Sequence, residues 1–431
     1  MATITSAQSG LASAVSTWVG GVVPVEGDKV NIAVGHVVTI DGAYTWGDDA
    51  AGTTITTGAI NVSGTLKASR LVSSSLTAKG VINLYYTTHA LDYGTDEDPI
   101  PEGVVAEMVL NKAATPAYRA GIRQLTIVGA GGHQKSTFVG SNIRKRGVPL
   151  AANTVAANPV INLNQADHGW KVGDELLFFT TTDNTNTNEC EVRTIFAIDG
   201  GDARIVTLNS ALTYIHKAGS PAANLTCNVI LRPYNTLASQ NTTLAFPVPN
   251  QGTALLGHTL HMKNVRLNEM GNTSVNQGML DLGGQNPNSG LDYQFYRAVF
   301  YNSVTLGGSV AQNPPARFPV FDECVFSLRG TIFYQGRPPV LKNCWLAVGA
   351  VSSSGATGYT LDGCWVTGVR DMLPLTLPSG SKVTNTILSG VGVAALDNAA
   401  VGVTLENCDL GYTYGWKRFY GQTGIAYFNT I

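Results

Sequence analysis

The chain has 431 residues, of which 13% are charged and 44% hydrophobic, with a formal net charge of -2. An average soluble domain carries about 25% charged residues, so the polar surface here must come from Thr, Ser and Asn, which favour turns and strands over helices. With 48 glycines and 18 prolines, this excludes a basic nucleic-acid binder, a disordered acidic tail and a coiled coil, and it argues against a helix-rich enzyme.

In chain order, the first charged side chain is Glu26. The segment before it has neither the basic start nor the continuous apolar core of a signal peptide. No stretch reaches the roughly 18 apolar residues that a bilayer crossing needs. The expectation is a soluble chain with no secretory address and no membrane insertion. Four Asn-x-Ser/Thr sequons, at Asn61, Asn224, Asn241 and Asn272, read as accidents of an Asn- and Thr-rich composition. Residues 1–18 read as a weakly amphipathic segment with Ile4, Leu11, Val15 and Trp18 on one side.

Short β-branched runs separated by glycine follow: Trp18 to Pro24, Gly27 to Ile32, Gly35 to Asp41, Gly58 to Leu66 and Leu76 to Leu84. Their alternation predicts strands. The pattern W-x-G-G-x-x-P-x-x-G-D-x-V-x-I-x-x-G-x-x-V-T-x-D, from Trp18 to Asp41, resembles the glycine-rich G8 domain of extracellular proteins tied to hyaluronan handling, and related segments of phage and bacterial proteins. Gly58 to Gly64 and the Gly94-Thr-x-x-x-Pro99 element continue the resemblance, which covers about residues 18–130. It implies a β-helical scaffold and transfers no catalytic set. His36 and Asp41, which flank a strand there, read as structural.

Gly129-Ala-Gly-Gly132 follows the strand Leu125 to Val128 but lacks the helix that a phosphate cradle needs. The basic spot Lys135 and Arg144-Lys-Arg146 is too small for a nucleic-acid footprint. From about 165 to 216 the rhythm changes to three antiparallel-looking strands, Gly169 to Phe179, Cys190 to Ile198 and Arg204 to Leu208, which predicts a small inserted β subdomain. His258 and His261 are three apart, so a strand places them on opposite faces. No metal ligand set accompanies them.

The C-terminal half repeats. Phe321-Asp-Glu-Cys324-Val-Phe326, Leu341-Lys-Asn-Cys344-Trp-Leu346, Leu361-Asp-Gly-Cys364-Trp-Val366, Val383-Thr-Asn-Thr386-Ile-Leu388 and Leu405-Glu-Asn-Cys408-Asp-Leu410 share one pattern, in steps of 20, 20, 22 and 22 residues. Met262 to Leu267 and Tyr296 to Tyr301 read as less regular copies. The period fits a leucine-rich repeat or a coil of a parallel β-helix. The leucine pattern and helix formers of the first are missing, so the prediction is an all-β, right-handed parallel β-helix, a solenoid carrying the inserted antiparallel subdomain. Cys190 and Cys227 could in principle pair; the other four cysteines show no zinc spacing and no disulfide framework and read as small buried hydrophobes.

Stacking the repeats gives columns. The second bend position reads Asn264, Ala298, Glu323, Asn343, Gly363, Asn385, Asn407, a structural ladder in which Asn264, Asn343, Asn385 and Asn407 tolerate left-handed backbone and bond amide to amide. The first bend position reads Lys263, Arg297, Asp322, Lys342, Asp362, Thr384, Glu406. The residue after the inward cysteine reads Arg266, Phe300, Val325, Trp345, Trp365, Ile387, Asp409. Strand alternation points this last column outward, so Phe300, Val325, Trp345, Trp365 and Ile387 form an apolar stripe. A subunit or partner, a covering loop, or a glycan stacked on the tryptophans would each account for it; with the alternation phase shifted, it is core.

No P-loop, dinucleotide, metalloprotease or serine-hydrolase motif occurs, and no cofactor or metal is expected. The nearest approach to a catalytic pair is Asp322 and Asp362, two coils apart and so about 9–10 Å at strand spacing. The expected organisation is an N-terminal cap (1–18), G8-like coils (19–164), the insertion (165–216), coils of 20–22 residues (217–415) and a C-terminal cap or assembly tail (416–431). The expected function is a non-enzymatic structural or adhesion protein of a phage particle, such as a tail, fibre or spike, made in the host cytoplasm. It would be a homo-oligomer, with a trimer as the guess, whose partners are other virion proteins and a cell-surface glycan. The alternatives are a polysaccharide hydrolase or lyase, or a silent carbohydrate-binding β-helix, at a bacterial surface or outside the cell.

Overall fold

In the computed structural model the described residues are 2–48, 59–80, 82–85, 89–110, 125–127, 134–179, 181, 189–233, 244–245, 258–268, 280–281, 292–301, 306–307, 320–327, 331–334, 340–348, 350–353, 358, 360–368, 376–377, 380–389, 395–396, 402–408 and 426–428. Among them the chain is a parallel β-helix. Its front face is a 13-stranded sheet running from Gly10–Leu11 to Ala426–Phe428, and its side face a 10-stranded sheet from Ala43–Trp46 to Ile387–Ser389. The third side is made of shorter parallel sheets, from Thr3–Thr5 to Leu125–Ile127, from Leu244–Ala245 to Ala350–Ser353, and Thr376–Leu377 with Ala395–Leu396.

Strand periodicity builds the core. On the front face Tyr93, Phe138, Met262, Phe295, Phe321, Leu341, Leu361, Val383 and Leu405 lie in register, strand upon strand, and all are buried in one apolar cluster. Phe295 stacks on Phe321 at 4.7 Å, and Phe300 on Phe326 at 4.6 Å. Such offset stacks add to area burial by about 0.5–1.5 kcal/mol each. The thiols of Cys324, Cys344 and Cys364 are buried in the same cluster. Burial first, then the neighbouring thiols, push the Cys344 thiol up, so it stays protonated and acts as a small hydrophobe.

The corner between front and side faces is one residue in the left-handed region at Asn264, Arg297, Glu323, Asn343, Gly363, Asn385 and Asn407, with φ from 49° to 65°. Asparagine and glycine suit this backbone. Gly363 is required twice over, because a Cβ there would also stand 2.5 Å from Asn343 Oδ1. The repeat around residue 297 is shifted by one from the expected alignment: Arg297 takes the left-handed position, not Ala298, and Tyr296 takes the first bend position, not Arg297. The corrected register also moves Phe300, which pairs with Leu267 and Phe326 and is 1% exposed in the main core, not part of the outward stripe.

The same corner accepts excursions of very different length. It is short at Asp41-Gly42, longer at 69–73 and 94–105, and longest at 140–228. The last is a six-stranded antiparallel sheet whose strand order runs from Gly147–Pro149 to Val160–Asn162. A bridge between Leu150 and Leu163 joins its two edges into a small barrel. Val148, Trp170, Leu176, Phe178, Ile195, Val206 and Ala222 are buried inside it. The insertion is therefore larger than the 165–216 expected. Gly147–Pro149 pairs with Pro221–Asn224, which pairs in turn with Glu175–Phe178, and the short Ala- and Pro-bearing sequences of the first two carry no alternation to betray them.

The N-terminal segment also differs from expectation. Residues 1–18 are not an amphipathic cap but a first coil: Thr3–Thr5 and Gly10–Leu11 pair in parallel with Lys29–Ile32 and Val37–Ile40. Ile4 and Trp18 are buried, whereas Leu11 and Val15 are exposed. Trp18 packs edge-on against Trp46 at 5.7 Å and donates its indole N–H to Ala12 O. Among the described residues no helix is long and apolar enough to cross a membrane.

Candidate functional site

The expected ladder and the expected carboxylate pair turn out to be one device. Asn407 Nδ2 donates to Asn385 Oδ1 at 3.3 Å, the amide-to-amide bond expected of the column. Asn385 Nδ2 instead donates to Asp362 Oδ1 at 2.9 Å, and Asn343 Nδ2 to Asp322 Oδ1 at 3.2 Å. Thr384 Oγ1 adds a bond to Asp362 Oδ1 at 2.8 Å. The Asn385 and Thr384 bonds, helped by Lys342 and Lys382 and opposed by slight burial, hold the Asp362 carboxyl below its ordinary range. Asn264 turns to the insertion, donating to Gly140 O at 3.3 Å. An amide ladder unforeseen in the sequence runs through the N-terminal coils, Asn83 to Asn61 at 2.9 Å and Asn61 to Asn31 at 2.8 Å. The sequon at Asn61 is thus a ladder rung, and that at Asn224 is fully buried.

The outward stripe is covered by the chain itself. In the true register it reads Arg266, Val299, Val325, Trp345, Trp365, Ile387. Val299, Val325 and Ala347 are buried beneath Leu177, Phe179, Ala223, Leu225 and Cys227 of the insertion, with Trp345 and Trp365 packed at the margin. Val325 is therefore no free interface residue, and Trp345 lies against the insertion at Gly147, where a Cβ would stand 2.3 Å from the indole. Ile387 is half-buried, and Asp409 lies outside the described residues. Polar contacts fix the same seam. Arg266 pairs with Glu175, Arg144 with Asp174 at 2.7 Å and with Glu102 at 2.8 Å. Buried Arg146 donates to Arg297 O at 2.9 Å and Thr226 O at 2.7 Å.

Among the described residues a cluster of charged and polar side chains lies on the front face of the irregular coils. Register places Lys67, Asp92, Thr137 and His261 in one outward row on four successive strands, about 4.8 Å apart. Outward positions of a solenoid should meet solvent, yet Asp92 is 8% exposed and Thr137 fully buried. The cause is an acidic turn, Thr95 to Pro99, laid across the row. Asp98 lies 3.7 Å from Lys67 Nζ and 3.2 Å from Arg70 Nε. Asp96 pairs with Lys263 at 2.9 Å and lies 3.0 Å from His261 Nε2, the latter a close approach without hydrogen-bond geometry. Beneath the turn, Asp92 pairs with Arg70 at 2.5 Å and Lys67 at 3.6 Å, and His89 Nε2 meets Thr137 Oγ1 at 2.9 Å.

The electrostatics follow from this crowding of cations. Burial would raise the Asp96 carboxyl, but Lys263, His261 and Lys135 bring it below its ordinary range. Burial, with Lys135 and Arg70 nearby, lowers His89 despite Asp92. The two stems of the turn meet at one place: Gly94, at φ 105°, would put a Cβ 2.0 Å from Val139 O, and Ile100 N donates to that same oxygen at 2.9 Å. Sequence reasoning missed the cluster because its strands belong to coils without a readable repeat. One signal was present: Asp96-Glu97-Asp98 is the only run of three acidic residues in a chain poor in charge. Of the HxxH pair, His261 points outward as described, and the His258 side chain lies outside the described residues, as does Gly129 to Gly132. No metal-holding group occurs among the described residues.

No family model matches the chain, so the G8 resemblance gains no family assignment, and no curated protein matches it. Among solved structures it is similar to three tailspikes. One is the gp54 tailspike of Acinetobacter baumannii bacteriophage AP22 in complex with A. baumannii capsular saccharide, at 11% identity and a TM-score of 0.23, over 78% of this chain and 61% of that one. Another is the tailspike gp61 of Pseudomonas phage phi297, at 9% and 0.21, over 78% and 63%. The third is the tailspike protein gp49 of Pseudomonas phage LKA1, at 10% and 0.20, over 87% and 55%. The chain thus spans 55–63% of the length of these proteins; its own fold assignment rests on the strand registers.

Proposed function

We propose that this chain is a non-enzymatic structural or adhesion component of a phage particle, built as a β-helix. The observation that carries the non-enzymatic part is the engagement of Asp322 and Asp362 by ladder amides. Glycoside hydrolysis needs one carboxyl kept protonated until it reaches the leaving oxygen. Asp362 is held the other way, as an ionised acceptor. The particle reading is supported by the low-charge solenoid, a rod whose length grows by stacking coils without new surface chemistry. The insertion covers Val299 and Val325 of the stripe, which favours assembly with other copies or particle proteins through other surfaces. A second reading, glycan binding, is favoured by the row of Lys67, Asp92, Thr137 and His261 with its acidic turn.

Two measurements test the proposal. Immunogold labelling of particles released by the encoding cells should mark them; unlabelled particles overturn the particle reading. Incubation with neutral and uronate-containing polysaccharides should release neither reducing ends nor unsaturated uronates. Cleavage that disappears in Asp322→Asn or Asp362→Asn overturns the non-enzymatic reading.

A further inference from the structure

We propose that the Thr95–Pro99 turn is a flap that imitates its own ligand, and that the row beneath it binds an acidic polysaccharide through the polymer's carboxylates. The inference deepens the adhesive half of the proposed function and rests on it.

Three observations carry it. First, the flap holds the floor by charge. Asp98 faces Lys67 and Arg70 at one side, and Asp96 faces Lys263 and His261 at the other. Both carboxylates remain about half exposed, at 45% and 56%, although their partners are more buried, so a competing carboxylate can approach these pairs from solvent. Second, the floor without the flap is basic. Among the described residues Lys67, Arg70, Lys135 and Lys263 stand there against Asp92, with His261 between them. The exposed Lys135 already projects beside the flap. Third, the stems of the flap converge on Val139 O, and Asn228 Nδ2 clasps the chain just beyond it, donating to Ile100 O, Pro101 O and Val104 O at 2.9–3.0 Å. The turn itself is braced by Thr95 N to Asp98 O at 3.0 Å and Asp98 N to Thr95 Oγ1 at 3.0 Å. The turn is thus a compact loop with adjacent anchored ends, and the proposal has it swing as a unit.

The ligand class follows from the complementarity. The flap supplies carboxylates at two ends of a row that crosses four strands, so a replacement must carry repeated carboxylates on one chain. A uronate polymer does so; a neutral glucan does not. The tethered carboxylates compete at high effective concentration, so the apparent affinity is the intrinsic affinity multiplied by the fraction of time the flap is open.

The test uses the full chain and two probes, polygalacturonate and neutral dextran, by titration calorimetry at fixed salt, with circular dichroism melts to compare folding. Asp96→Asn/Asp98→Asn should bind polygalacturonate about tenfold more tightly than the wild type. Lys67→Ala/Lys263→Ala should lose the binding, and dextran should bind neither. An unchanged affinity in the flap variant, retained binding in the lysine variant, or equal binding of dextran overturns the proposal. If the lysine variant fails to fold, Lys135→Ala replaces it, with weakened binding expected and unchanged binding counting against the site. This readout is independent of particle labelling, so loss of uronate binding and absence from particles are distinguishable failures.

Discussion

The docking of the barrel onto the stripe can be tested at its tightest point. Gly147 opens the first barrel strand, and a Cβ there would stand 2.3 Å from Trp345 Cε2 and Cζ2 and 2.8 Å from its Nε1. Carbon atoms in contact prefer about 3.5–4.0 Å, so Gly147→Ala demands a shift of more than about 1 Å between indole and strand. Neither side yields easily. Trp345 is in register between Val325 and Trp365, and Gly147 pairs with Ala223, whose side chain lies in the same contact. Overpacking of this sort costs about 1–3 kcal/mol, which is about 5- to 150-fold in an opening equilibrium. Amide exchange at Leu177 and Ala223, on the barrel side of the contact, should accelerate within that range. Trp345→Ala alone should also loosen the contact, but Gly147→Ala added to it should cost almost nothing more, because its collision partner is gone. If Gly147→Ala leaves exchange unchanged, or if the two substitutions simply add, the barrel does not seat on Trp345 and the covered-stripe reading fails.

Two further outcomes follow from the bends and from the seam. Asn385 combines a left-handed backbone with a bond to Asp362, so Asn385→Ala should cost about 1–3 kcal/mol in urea unfolding, from backbone strain plus one hydrogen bond; Asn385→Gly should cost less, and equal losses would show that backbone strain is not the cause. Glu102 is partly buried, which alone would raise it, but hydrogen bonds from Arg144 and Lys171 bring it down to about 2. A carboxyl depressed on folding contributes stability above its unfolded value near 4.3 and loses it as pH falls towards 2. Glu102→Gln should therefore destabilise the wild type's seam at pH 6 and match it near pH 2, read by thermal melts; a difference independent of pH refutes that ion pair.

The sequence was most legible where it repeats. Steps of 20 and 22 residues are enough to place Phe321, Leu341, Leu361 and Val383 in one inward column, because a parallel stack returns to the same azimuth once per coil. The slip at Arg297 came where the repeat loses its cysteine, and one residue of slip carried Phe300 from core to surface, as period two requires. The first half gave strands without register, since no repeated residue marks which strand lies above which.

By itself, then, the sequence determined the β-helix, its bend column of Asn and Gly and its buried thiols, all consequences of local alternation and turn chemistry. Only the tertiary structure decided what covers the outward faces. The barrel over Val325 and Trp345, and the acidic turn over Asp92 and Thr137, bring together residues separated by scores of positions. Strand alternation says which way a side chain points, and it cannot say what another excursion of the chain, leaving from the same corner, will lay upon it.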